Sequence, residues 1–225
     1  HDGSFDICGF SVAADEVGGD YYETQPIGEH TFALIIGDVS GKGTSAAFNM
    51  SQMKGIFHSL VQLHPSPKEF LTKANKALSQ CLEKNHFITT SYFNLNTEKK
   101  EITYSRAGHC PTLYYNKEKQ TCDYLSIDGL GLGIIRTQLF ENYVFEKTFH
   151  YQSGDVLVLF TDGIVEAKDD KGVEFGYERL KNVLKNCADL DTEKIQNKII
   201  EEVYRFIGKN SIADDDYTLM VIKFK

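Results

Sequence analysis

Positive charge is in short supply: 24 Lys and Arg face 32 Asp and Glu, leaving a net charge of -8. That balance argues against a nucleic-acid surface and suits a protein that binds cations or basic segments. Cysteine is equally uninformative as a scaffold. Five residues, Cys8, Cys81, Cys110, Cys122 and Cys187, are odd in number and widely scattered. They offer no paired spacing for zinc or redox work, and a reducing cytoplasm fits them best. No apolar run approaches the roughly 20 residues a membrane helix needs, and no signal-peptide pattern opens the chain. The expectation is a soluble, cytoplasmic domain, or the cytoplasmic domain of a larger protein. A chain of 225 residues without a shift in composition reads as one domain. It opens on His1 and enters a strand almost at once, which suggests a processed chain or a piece of something longer.

What is present centres on Phe32 to Thr44, FALIIGDVSGKGT. Phe32 to Gly37 are apolar or Gly without alternation, the pattern of a strand buried on both faces. The strand ends on Asp38, passes a Ser-Gly-Lys-Gly turn and runs into a helical pattern near Thr44. A strand, a Gly-rich turn with Lys and a helix invite a phosphate-cradling reading. The spacing argues against it: only three residues separate Gly37 from Gly41, and Gly43 stands between Lys42 and Thr44.

In chain order, Phe5–Ala14 and Asp20–Ile27 read as strands joined by Asp15-Glu16-Val17-Gly18-Gly19, where two glycines permit positive φ. The helix from Thr44 to Leu63 carries Ala46, Met50, Met53, Phe57 and Leu60 on one face. Ser66-Pro67-Lys68-Glu69 caps a second helix, to about Glu83, whose apolar stripe is Phe70, Ala74, Ala77 and Cys81. From His86 to about Phe149, short runs of Tyr, Phe, Thr, Ile and Val broken by polar turns predict an antiparallel meander. Two glycine-bearing breaks interrupt it, at Ala107–Pro111 and at Gly129–Gly133. Asp155–Phe160 is a second continuously apolar strand leading to Thr161-Asp162-Gly163. Amphipathic helices over Tyr177–Cys187 and Thr192–Ile207, the latter capped by Asp191, precede Asp214-Asp215-Asp216 and a closing strand from Tyr217.

Asp20, Asp38, Asp162 and the Asp214–Asp216 triplet each lie where a strand meets a turn. Any one of them is ordinary turn chemistry or a solvated edge. Together, carboxylates that converge either raise one another's pKa or bind cations, and hard oxygens without a His or Cys set favour Mg²⁺ or Mn²⁺ over Zn²⁺.

Five blocks carry a resemblance. Asp15-Glu16-Val17-Gly18-Gly19-Asp20-Tyr21-Tyr22, Gly37-Asp38-Val39-Ser40-Gly41-Lys42-Gly43, Ala107-Gly108-His109 with Pro111, Thr161-Asp162-Gly163 with Glu166, and Asp215-Asp216-Tyr217-Thr218 resemble, in order, the signature blocks of bacterial PPM-type protein phosphatases. The similarity is to their stage II sporulation E and stress-response regulator branch, and it covers nearly the whole chain. It implies an α+β fold, a four-layer α-β-β-α sandwich of two mostly antiparallel sheets flanked by helix pairs. It implies one PPM-type domain over residues 1–225, the C-terminal effector part of a longer chain.

By position, Asp38 resembles the carboxylate that bridges two metal ions, Val39 the backbone carbonyl ligand, Asp162 and Asp215 the ligands that complete the second ion, and Asp20 a carboxylate acting through metal-bound water. The implied reaction is hydrolysis of protein phosphoserine or phosphothreonine, with two Mn²⁺ or Mg²⁺ ions generating a bridging hydroxide and no phosphoenzyme. The absence of a Cys-x5-Arg loop agrees. The implied partners are a phosphoprotein of the anti-sigma-factor-antagonist kind and an upstream sensory domain, with room for a homodimer and with no nucleic acid or membrane contact. Two departures stand out from the eukaryotic branch, which has an Arg before its first carboxylate and a His where Ser40 stands. His109 and Lys42 remain candidates for the acid or the phosphate clamp, and a structural loop role is open for His109. A catalytically weak module that binds a phosphoprotein is the alternative, and a nucleotide-binding protein the third.

Overall fold

The computed structural model describes residues 3–208 and 215–225. In chain order its elements are β1 (Phe5–Val12), β2 (Tyr21–Pro26), β3 (Thr31–Val39), α1 (Gly43–Leu60), α2 (Pro67–Leu78), β4 (Ile88–Asn96), β5 (Glu101–Ala107), β6 (Thr112–Asn116), β7 (Thr121–Leu125), β8 (Glu146–His150), β9 (Val156–Phe160), α3 (Asp162–Glu166), α4 (Gly176–Cys187), α5 (Thr192–Ile207) and β10 (Tyr217–Phe224). Contacts divide them into two units. A terminal unit comprises His1–Ala14, Pro111–Leu125 and Tyr151–Lys225, and a middle unit comprises Asp15–Cys110 and Ser126–His150.

The middle unit holds an antiparallel sheet of order β2-β3-β4-β5-β8. Its apolar strand β3 is interior, paired on one side with β2 and on the other with β4, and every residue from Phe32 to Gly37 is buried. That is the environment its unbroken apolar run requires. Helices α1 and α2 pack on one another, α1 on β3 and α2 on β4 and β5. Met53 and Phe57 of α1 and Phe70 of α2 are fully buried, and the Phe70 ring stacks on Tyr92 at 4.0 Å. Side chains of this size contribute about 1.5–3 kcal/mol each on burial, so the helix pair is held by its apolar face.

The terminal unit holds the second antiparallel sheet, of order β1-β10-β9-β6-β7. Strand β9 is interior here, between β10 and β6, and all five of its residues are buried. The closing strand β10 sits between β1 and β9, with Leu219, Met220, Val221 and Ile222 all 0% exposed, so both of its faces are covered. Helices α4 and α5 pack together, α5 lying on β1 and β10. Asp191 caps α5 as expected, accepting from the Lys194 N–H at 2.8 Å.

Several expectations are corrected. The stretch from His86 to Phe149 is no single meander: β4, β5 and β8 belong to the middle sheet, while β6 and β7 leave it for the terminal one. The hydrogen-bonding edges, which periodicity does not report, decide this. Helix α2 stops at Leu78 and buries Phe70, Leu71, Ala74, Asn75 and Leu78. Its packed face is thus rotated from the expected stripe, and both Ala77 and Cys81 are exposed. Two further features differ locally. α1 passes into a 3-10 turn at Val61–Leu63 instead of running on as α-helix, and neither Gly18 nor Gly19 takes a positive φ. Between β3 and α1 it is Gly41 and Gly43 that take positive φ, 103° and 68°, and swing the chain from strand into helix.

Candidate metal centre

In the middle unit the acids stand at the ends of adjacent strands. Asp38 is the penultimate residue of β3 and pairs in register with Thr89 of β4. Asp20 directly precedes β2, whose Tyr21 pairs with Gly37. Both carboxylates are half-buried and both act on one phenol. Burial, and then the negative charges of Asp38 and Asp20, holds the Tyr21 hydroxyl well above its ordinary pKa. Gly19 is required here for space, not for conformation: a Cβ on it would stand 3.0 Å from the Val39 carbonyl oxygen and 3.2 Å from the Val39 Cβ. The Val39 oxygen and the Gly19 backbone, which leads into Asp20, are therefore neighbours.

In the terminal unit, β9 hands directly into α3, so Asp162 is the first helical residue. The backbone of Gly163 lies so close to the Asp216 carbonyl that no side chain fits between them. This contact brings the start of β10 against the start of α3, and Asp215 near Asp162. Burial first, and then the charge of Asp215, raises the Asp162 pKa, opposed by the Gly163 N–H. Glu166 is raised by burial and by Asp162, with Lys168 pulling the other way. Gly163, Glu166, Lys168, Asp215 and Tyr217 line an acidic cavity of about 210 Å³. Asp216, for which the sequence suggested no role, accepts from the Ala14 N–H at 2.9 Å and so ties the end of β1 to the start of β10. Asp214 lies outside the described residues.

The donors fit divalent cations by their chemistry. They are hard carboxylate and carbonyl oxygens, and in each unit two carboxylates crowd closely enough to disfavour ionisation of themselves or of a neighbour. Among the described residues no group of three or more His, Cys, Asp or Glu is arranged to hold an ion.

The remaining candidates are placed clearly. His109 is 3% exposed, its Nδ1 lies 3.0 Å from Thr89 Oγ1, and its carbonyl accepts from the Arg106 guanidinium. Lys42 is exposed at the N-cap of α1. Ser40, where the eukaryotic branch has His, is engaged by the Phe87 N–H at 2.9 Å. Sequence reasoning quoted Ser40 and Thr161 within its blocks without giving either a role, and it did not single out Lys168. The available signal was a hydroxyl residue within two positions of each acid at the end of an apolar strand.

Residues 28–225 match the stage II sporulation protein E (SpoIIE) family. The chain belongs to that family. Over 222 residues this SpoIIE-family chain is 32% identical to the phosphoserine phosphatase RsbU of Bacillus subtilis (strain 168), an overlap of 99% of this chain and 64% of RsbU. Among solved structures, the RsbU and RsbW domains of Rv1364c from Mycobacterium tuberculosis superpose with a TM-score of 0.84 at 22% identity, covering 99% of this chain and 62% of that one. The PP2C phosphatase domain of SpoIIE from Bacillus subtilis, with a fragment of its regulatory domain, superposes at 0.83 with 21% identity, covering 98% of this chain and 63% of that one. The α+β fold with two antiparallel sheets expected of the SpoIIE family is the fold of these structures.

Proposed function

We propose that this chain is a metal-dependent protein phosphatase domain that hydrolyses phosphoserine or phosphothreonine, using two Mn²⁺ or Mg²⁺ ions. The ligands in this reading are Asp20, Asp38 and the Val39 carbonyl from the middle unit, with Asp162 and Asp215 from the terminal unit. One observation carries it: in each unit two acids from separate segments bear on one group, Asp20 and Asp38 on the Tyr21 phenol and Asp215 on Asp162, and negative charge gathered in this way favours a bound cation. The ions, when bound, would supply a water activated near neutral pH and positive charge for the phosphoryl oxygens. The protein's part is to hold its carboxylates fixed before the substrate arrives, which Gly19 and Gly163 assist by letting neighbouring backbone come close.

The similarity to a phosphoserine phosphatase supports the choice of substrate class. A phosphorylated regulatory protein of the anti-sigma-factor-antagonist kind is the substrate in this reading. An upstream regulatory domain controls the site in the same reading, and RsbU extends well beyond the segment matched here.

The test is turnover of a chromogenic phosphate ester and of a phosphoserine protein with Mn²⁺ or Mg²⁺, with and without chelator. Asp38→Asn and Asp162→Asn are each expected to lower turnover by at least about 100-fold, the scale of losing one preorganised electrostatic partner. Absence of turnover with either metal would favour a phosphoprotein-binding module of the same fold.

A further inference from the structure

The two acid-bearing strands leave their sheets in the same way. The β3–β4 register runs Asp38 to Thr89 and Val39 to Ile88, so the next pair is Ser40 with Phe87. In a regular ladder each member of that pair would donate its N–H to the other's carbonyl. The Ser40 N–H does donate to the Phe87 carbonyl, at 3.0 Å. The returning Phe87 N–H is accepted instead by Ser40 Oγ, at 2.9 Å.

The β9–β10 register pairs Phe160 with Leu219, so the next pair is Thr161 with Thr218. The Thr161 N–H donates to the Thr218 carbonyl at 3.1 Å, and the Thr218 N–H is accepted by Thr161 Oγ1 at 3.1 Å. In both places a hydroxyl substitutes for a main-chain carbonyl at the last rung of the ladder.

The substitution has a defined effect on the chain. The ladder closes without using the carbonyl of Ser40 or Thr161, so the backbone can turn out of the sheet at once. Thr161 spends its released carbonyl on the Ile164 N–H at 3.2 Å, which opens α3 with Asp162 as its first residue. At Ser40 the hydroxyl secures Phe87 opposite and so backs the regular Ser40 N–H to Phe87 carbonyl bond, which orients the preceding peptide. A planar trans peptide with its N–H directed at Phe87 has its carbonyl, that of Val39, directed to the opposite side. There it meets the backbone of Gly19, beside Asp20.

We infer that Ser40 and Thr161 are positioning residues for metal binding, each using its hydroxyl to close the sheet one rung early and so fix the ligand next to it. For Ser40 that ligand is the Val39 carbonyl, together with Asp38 two residues before; for Thr161 it is the Asp162 carboxylate. The inference rests on the phosphatase reading above and adds the parts of the chain that set ligand geometry.

The test compares Ser40→Ala and Thr161→Val, which lack the hydroxyl, with Ser40→Thr and Thr161→Ser, which keep it. Mn²⁺ binding is measured directly, by calorimetry and by electron paramagnetic resonance of free Mn²⁺. Loss of the hydroxyl is expected to weaken Mn²⁺ affinity by about 10-fold or more, the usual scale for a group that orients a ligand, and the conservative pair is expected to restore it. In parallel, the amide protons of Phe87 and Thr218 are expected to lose protection from hydrogen exchange. A brace with only a structural role would lower the urea midpoint of the metal-free protein while leaving the Mn²⁺ affinity of the folded fraction at the parental value, and that result overturns the inference. Should a hydroxyl-free variant fail to fold, Ser40→Cys and Thr161→Cys, with a weak sulfur acceptor in the same place, are read against the same two outcomes. A parent chain that binds no Mn²⁺ overturns the phosphatase reading and this inference together; equal binding by parent and variants overturns the inference alone.

Discussion

Asp155 and Asp162 frame one apolar strand, and the protein treats the two carboxylates differently. Asp155, at 0% exposure, accepts from the Tyr114 hydroxyl and from the N–H groups of Lys117 and Gln152, each of these two at 2.8 Å. Burial, and then the bond to Asp155, holds the Tyr114 phenol above its ordinary pKa, so it stays a donor. Asp162 has the charge of Asp215 beside it instead. Asp155→Ala is therefore expected to destabilise the protein by about 2–4 kcal/mol, since hydrogen bonds to a charged group contribute about 1.5–3 kcal/mol and the stranded donors add a penalty. The midpoint of urea denaturation checks this. Asp162→Ala, by contrast, relieves crowding and is expected to leave the metal-free midpoint almost unchanged. The sequence places an acid at each end of the strand but does not separate the two roles, because the donors that satisfy Asp155 come from β6 and from the turns after β6 and before β9.

At the scale of the element, α2 shows how far capping and periodicity reach. Ser66 accepts from the Glu69 N–H at 3.3 Å and Pro67 stands at the first helical position, as the sequence signature predicts. Glu69 in turn accepts from the Ser66 N–H, which completes the reciprocal cap, and it also pairs with Lys73 at 2.6 Å. On the buried face the apolar pattern overlooks Asn75, which donates to the Ile135 carbonyl at 2.9 Å and accepts from the Gly133 N–H at 2.8 Å. A polar side chain that is 3% exposed and doubly bonded fixes the glycine-rich segment against α2. Ser66→Ala is expected to cost about 1 kcal/mol, the usual value of an N-cap. Asn75→Ala is expected to cost more, about 2–4 kcal/mol, because two buried backbone groups lose their partners. Thermal denaturation of the two variants side by side gives the order, and a larger loss for Ser66→Ala would contradict it.

At the scale of the whole molecule, the acidic excess and the divided ligand set point to the same measurement. Mn²⁺ that binds only the folded chain stabilises it by about 2.7 kcal/mol at 100 times its dissociation constant. At about 2–4 °C per kcal/mol for a chain of this size, that is a rise in Tm of roughly 5–11 °C. The proposed ligands come from both units, so Asp38→Asn and Asp162→Asn are each expected to abolish most of the rise. If only one of the two did so, the ions would belong to a single unit and the ligand assignment would fall. Among the described residues no helix is long and apolar enough to cross a membrane.

By itself the sequence determined the buried strands β3 and β9, the caps at Ser66 and Asp191, the α+β class and the set of acids at strand ends. These depend on short-range regularities: unbroken apolar runs, a hydroxyl or carboxylate three residues before an N–H, and motif blocks of fixed length. Only the tertiary structure decided that β6 and β7 leave the sheet of β4 and β5, that Asn75 belongs to a buried face, and that Gly19 serves by its size while Gly41 serves by its φ. It also revealed hydroxyls closing the ladder at Ser40 and Thr161. Each of those depends on which backbone group from a distant part of the chain arrives opposite, and local periodicity carries no information about that partner.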